Sequence, residues 1–162
     1  MVFDASTLIL LAKVDLLRWV TRQHEAVVTP EVESEATRQG SPDALLIALL
    51  VSQGLIVVAG TRCETRDVRR LQKDFGLAVG EATSLWLAVD RGDALATDDG
   101  PAIRACKLLE VPFVTAIHFS LAAFRCGALS RELAVVTLGT LAAFGRYHQR
   151  ILDAAKSTLE GK

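Results

Sequence analysis

Export signals, disulfide spacing, membrane spans and nucleotide loops are all lacking from this sequence. Of its 162 residues three are cysteines, Cys63, Cys106 and Cys126. An odd number without C-x-x-C spacing argues against a disulfide framework and against a zinc site, and predicts three reduced thiols, mostly in the core. The longest unbroken apolar run, Ala44 to Val51, is eight residues, too short to span a bilayer, so no membrane association is expected. Met1-Val2-Phe3-Asp4 offers no basic leader or cleavage site, which makes the cytoplasm the expected location. The net charge of -1 gives no general attraction for phosphate backbones, so any nucleic-acid binding must rest on local patches. No Gly-rich loop of Rossmann or P-loop type is present, which removes most nucleotide-dependent enzymes. No internal repeat or low-complexity linker divides the chain.

What is abundant is apolar. The hydrophobic content of 51% and mean hydropathy of +0.33 suit a sheet buried on both faces, with apolar surface left over for self-association, most simply a dimer. Short apolar runs alternate with helical periodicities, which implies a mostly parallel sheet with right-handed crossovers. The expected architecture is a three-layer α/β/α sandwich, with residues 1–116 as its body. Residues 117–162 read as a helical extension, packed on the same domain or on a partner. Leu55 to Val58 reads as a fully buried strand, and Pro112 to Thr115 as an edge strand because it begins with Pro.

Carboxylates fall at the ends of these elements. Val2-Phe3 runs into Asp4, with Ser6 placed to cap the following helix, which leaves Asp4 over for a site. Ala94 to Thr97 runs into Asp98-Asp99 and a helix start at Gly100-Pro101; one cap needs one Asp, and here there are two. Glu81 opens the helix after Gly80, where dipole complementarity alone would explain it. Glu35 lies a turn beyond the first turn of its helix, on a face with Glu31 and away from Val32 and Ala36, and from spacing alone a solvated face explains it better than a site does. In an open parallel sheet, groups beyond the carboxyl ends of the strands converge at the binding crevice. Carboxylates ~4 Å apart repel by ~4 kcal/mol at an effective dielectric of ~20, so such a cluster calls for protons or a cation. Oxygen ligands without His or Cys suit Mg²⁺ or Mn²⁺. Arg66, Arg69, Arg70 and Lys73, at i, i+3, i+4 and i+7, line one helix face, which is either solvated or steers phosphate.

Phe3-Asp4-Ala5-Ser6, Pro30-x-Val32-x-x-Glu35, Gly80-Glu81-Ala82 and Leu95-Ala96-Thr97-Asp98-Asp99, in this order, resemble the PIN-domain ribonucleases, especially the prokaryotic group related to toxins of type II toxin-antitoxin pairs. The resemblance spans about Val2 to Thr115. It implies an acidic pocket binding Mg²⁺ or Mn²⁺ and cleavage of RNA, and a toxin would have a cognate antitoxin protein. By position, Asp4, Glu35, Glu81 and Asp99 look like the family's four acids, with Asp4, Glu81 and Asp99 on the metal. Ser6 looks like the small hydroxyl residue that fixes the first acid, and Asp98 like a supporting residue or cap. Two other classes compete. A PIN-like module that binds RNA or protein without cutting has no need of clustered charge near phosphates. A receiver-type phosphoacceptor would carry an acidic pair after the first strand, where this chain has Asp4 alone.

Overall fold

A computed structural model describes residues 1–38, 40–60 and 65–161. β1 (Val2–Phe3) leads into α1 (Ala5–Lys13) and α2 (Leu17–Gln23), and β2 (Ala26–Val28) into α3 (Pro30–Ala36) and α4 (Pro42–Ser52). β3 (Ile56–Val58) is followed by α5 (Thr65–Phe75) and α6 (Val79–Arg91), and β4 (Leu95–Ala96) by α7 (Gly100–Leu108). After β5 (Phe113–Val114) the chain is helical, with α8 (Ala116–Arg125), α9 (Arg131–Phe144) and α10 (Gln149–Glu160).

All strand pairs are parallel, in the order β3-β2-β1-β4-β5, with Val2 opposite both Val27 and Leu95. The strands are short, yet their side chains still alternate between two cores, as the pleat requires. Phe3, Ala26, Val28 and Ala96 face α1 to α4 and α8 to α10, while Val2, Val27 and Leu95 face α5, α6 and α7. This is the three-layer α/β/α sandwich the sequence predicts, with the acids' strands β1 and β4 side by side at its centre. The C-terminal helices join the first of these cores: Leu138, Leu141, Leu152 and Leu159 are buried there with Leu8 and Leu11, and the Phe119 ring stacks on Phe3 at 5.8 Å between centroids.

The structure corrects some local expectations. β3 is an edge strand, paired only with β2, and its Val57 and Val58 are 43% and 36% exposed instead of fully buried. An apolar run shows what a strand tolerates, whereas sheet order decides what covers it. On α4 only Ala44, Ile47 and Leu50 are buried; Leu45 and Leu49 face outward. Cys106 is buried, Cys126 is exposed at the end of α8, and both are free thiols. Cys63 lies outside the described residues. α10 begins at Gln149 and leaves Tyr147 in the preceding turn. Among the described residues no helix is long and apolar enough to cross a membrane.

Candidate active site

The strand order reverses direction between β1 and β4, so their C-terminal ends stand at the switch point, the place where doubly wound sheets hold ligands. Asp4 follows one strand, and Thr97, Asp98 and Asp99 follow the other.

Asp4 is the N-cap of α1, with extended backbone and a side chain accepting from the Thr7 amide at 3.0 Å. Ser6, expected to be that cap, lies one residue inside the helix; its hydroxyl donates to Asp4 Oδ1 at 2.8 Å and accepts from the Asp98 amide at 3.1 Å. The Thr97 hydroxyl donates to the other oxygen, Oδ2, so both oxygens are engaged. Asp4 is 1% exposed. Burial pushes its carboxyl up to about 7, with a small contribution from the Asp98 charge, against the pull of the Thr7, Thr97 and Ser6 hydrogen bonds.

The adjacent acids of β4 divide their work. Asp99 is the N-cap of α7: its Oδ1 accepts from the Ala102 amide at 2.8 Å, and its amide donates to Thr97 Oγ1 at 3.2 Å. Thr97 thus links Asp4 to Asp99 through one hydroxyl. Asp98 caps nothing on α7 and points to the other side. It accepts from the first amide of α8, Ala116, at 2.9 and 3.2 Å, from Thr7 Oγ1 at 2.6 Å and from the Tyr147 hydroxyl. Burial raises its pKa, and the Thr7, Tyr147 and Ala116 hydrogen bonds oppose the rise. Burial and the neighbouring Asp98 charge push the Tyr147 hydroxyl well above its ordinary value, so it remains a donor.

Glu81 lies in the first turn of α6 and reaches back to the Ala78 amide at 2.8 Å, satisfying a donor that the helix leaves open. It is half-buried. Burial raises its pKa first, and the charges of Asp99 and Glu35 raise it further, while the Ala78 amide holds it down. Glu35, exposed on α3, approaches the start of α6 because position 80 is glycine: a Cβ there would lie 3.1 Å from Glu35 Oε2 and 3.4 Å from Val32. Thr29, the N-cap of α3, meets Thr83 of α6 at 3.0 Å between buried hydroxyls, which keys these two helices together. Glu35, Glu81 and Asp99 therefore share a rim, and Asp4 lies beneath it with Thr97 between.

Among the described residues Asp99 Oδ2 and Glu81 Oε1 accept no hydrogen bond, and no ion pair involves Asp4, Glu35, Glu81, Asp98 or Asp99. Unshared carboxylate oxygens and mutual repulsion at Glu81 fit a hard divalent cation. Cys106 feels the Asp4 charge and His118 acts on Asp98, and neither acts on Glu81. The fit is one of charge and donor type. Among the described residues no three His, Cys, Asp or Glu side chains already form a ligand cluster, and Asp4 is sealed by its hydrogen bonds.

Arg66, Arg69, Arg70 and Lys73 are all exposed on α5, which packs on α6 and α7; Arg70 also pairs with Asp74 at 3.5 Å. They form a stripe on that layer, apart from the hydrogen-bonded acids. The sequence reading gave no role to Thr7, Thr83, Thr97 or Tyr147. Thr97 stands inside the Leu95–Asp99 motif, so its signal was present, and Thr7 directly follows the Phe3–Ser6 motif without belonging to it; Tyr147 is the chain's one tyrosine and carries no local sign of reaching Asp98. A family model described as a PIN domain matches residues 1–156, which includes most of the helical tail. No curated protein and no solved structure matches.

Proposed function

The chain belongs to the PIN-domain family, whose members are generally nucleases, and from that premise we propose that it is a divalent-metal-dependent endoribonuclease working at the β1/β4 crevice. The observation that carries this reading is the strand order, which sets the acids after β1 and β4 side by side with Glu81 and Glu35 on the rim and, among the described residues, no basic side chain paired to any of them. Asp4, Glu81 and Asp99 are the residues that would hold Mg²⁺ or Mn²⁺, which when bound lowers the pKa of water and offsets charge on a phosphodiester. The chain's own contribution is placement. Thr97 ties Asp4 to the Asp99 turn, Gly80 admits Glu35, and Glu35, open to solvent, orients water or accepts its proton. The α5 stripe offers phosphate contacts outside the pocket.

One observation favours a second reading, a PIN-like module that binds RNA or protein without cutting: both Asp4 oxygens already carry hydrogen bonds beneath the rim. Incubating the purified protein with single-stranded and structured RNAs, with Mg²⁺, Mn²⁺ or EDTA and beside Asp4→Asn and Asp99→Asn, separates the two. Metal-dependent cutting lost in both variants supports the enzyme; retained RNA binding without cutting under any metal supports the module.

The reading extends to partners and place. A cytoplasmic homodimer, with Leu45, Leu49, Leu133, Val136 and Phe144 among its exposed apolar residues, accounts for the high hydrophobic content. Light scattering at tens of micromolar tests that. A toxin role requires a cognate antitoxin, tested by whether a short neighbouring reading frame yields a protein that blocks cutting.

A further inference from the structure

The turn between α9 and α10 is built to deliver one hydroxyl to the crevice. At the end of α9 the Gly145 amide donates to Leu141 O at 2.7 Å, and the chain then folds back so that the Tyr147 ring lies over the glycine. A Cβ at position 145 would stand 2.2 Å from Tyr147 Cε2 and 2.8 Å from the Leu141 carbonyl oxygen, and the latter is backbone that cannot swing aside. The half-buried ring packs on the core shared by α1 and the tail helices, and its hydroxyl donates to Asp98 Oδ1.

Asp98 is the meeting point of four segments. Its carboxylate holds Thr7 of α1, the first amide of α8 and Tyr147, and its own amide donates to Ser6, which in turn donates to Asp4. Asp99 is the next residue along. The Thr7, Ser6 and Ala116 contacts come from elements already packed at the sheet edge, whereas the Tyr147 contact arrives from the tail and closes the open side of the carboxylate.

We propose that Tyr147 is a positioning residue, whose hydroxyl holds the Asp98 carboxylate in place and through it sets the Asp4 and Asp99 side chains of the proposed nuclease site. The inference rests on the nuclease reading for its catalytic consequence and on the hydrogen bonds alone for its structural one. Reacting groups misplaced by about 1 Å lose on the order of a hundredfold in rate, and a loosened turn is a partial misplacement. Tyr147→Phe keeps the ring and removes one oxygen. It should lower kcat for RNA cleavage roughly tenfold and leave KM within about twofold, because the lost contact lies behind the acids and away from the RNA.

The experiment measures kcat and KM, Mn²⁺ dissociation constant by titration, and hydrogen exchange of the Ala116 amide, for wild type, Tyr147→Phe, Asp98→Asn and the double variant. Expected are a fall in kcat at constant KM, Mn²⁺ binding weakened several-fold, and faster exchange at Ala116 with α9 interior amides unchanged. The double variant should be no worse than the worse single one, since both break the same link. Wild-type kcat and Ala116 exchange in Tyr147→Phe overturn the proposal; so does a general loss in which α9 amides also exchange faster and KM rises, which marks a packing role. Should wild type cut no RNA, the enzyme reading falls while the Ala116 exchange still decides the positioning role. Should Tyr147→Phe not fold, the proposal stands or falls on Asp98→Asn by the same three measures.

Discussion

Asp4 is under two opposed influences, and the pH dependence of folding measures which prevails. Three donors, the Thr7 amide and the Ser6 and Thr97 hydroxyls, favour the ionised carboxylate, and a carboxylate with that many hydrogen bonds can titrate far below its ordinary value. Burial at 1% exposure favours the neutral acid and wins, raising the group from 3.8 to about 7. A folded-state pKa above the unfolded one means that the native protein binds the extra proton between those values, so stability falls as pH rises through the window and levels off above it. At about 1.4 kcal/mol per unit, a rise of roughly three units corresponds to ~4 kcal/mol lost between about pH 4 and pH 7. The perturbation is Asp4→Asn, which keeps the shape and removes the titration. Urea unfolding of both proteins in EDTA, from about pH 4.5 to 8, gives a difference in which the other acids largely cancel. Wild type should lose a few kcal/mol relative to the variant across that range and be the less stable protein at pH 8. A difference that is flat, or that grows in favour of wild type as pH rises, would falsify the account and identify Asp4 as an ordinary ionised cap.

In the same melts at pH 7.5, Mn²⁺ at about a hundred times its dissociation constant should stabilise wild type by ~3 kcal/mol and Asp99→Asn much less; equal stabilisation would place the ion elsewhere. Gly80→Ala should leave stability within about 1 kcal/mol, because gained helix propensity offsets the tight approach to Glu35 Oε2, yet cut RNA several-fold more slowly. Unchanged cutting would remove Glu35 from the site. Leu138→Ala, at a position 1% exposed, should cost roughly 2–5 kcal/mol in one cooperative transition, whereas a transition that splits in two would show that the tail folds as a unit of its own.

How much of this was legible follows from the range over which each feature is determined. The layer architecture was readable because strand and helix periodicities are local, and the parallel sheet follows from their alternation. That Asp4 and Asp99 follow strands, at positions able to converge at one sheet edge, was readable for the same reason, whereas the pairing of β1 with β4 is set by sheet order and was not. What escaped is the division of labour among acids whose local preferences are equal. Asp and Ser cap helices about equally well, so Asp4 and Ser6 could not be told apart from their own segment. The choice is made by Thr97, 93 residues away, which holds Asp4 at the cap position while Ser6 turns inward to Asp98. Asp98 and Asp99 are likewise interchangeable on paper, and are separated by Thr7 and Tyr147, 91 and 49 residues distant, which draw Asp98 to the far side and leave Asp99 to cap α7. Because a carboxylate held on both oxygens is part of the scaffold and one with a free oxygen is open to a ligand, the partners a residue finds across the fold, more than the residue itself, decide whether an acid is structural or chemical. By that criterion, among the described residues, Glu35, Glu81 and Asp99 are the acids with oxygens to offer, and Asp4 joins them only by exchanging a hydrogen bond for a cation.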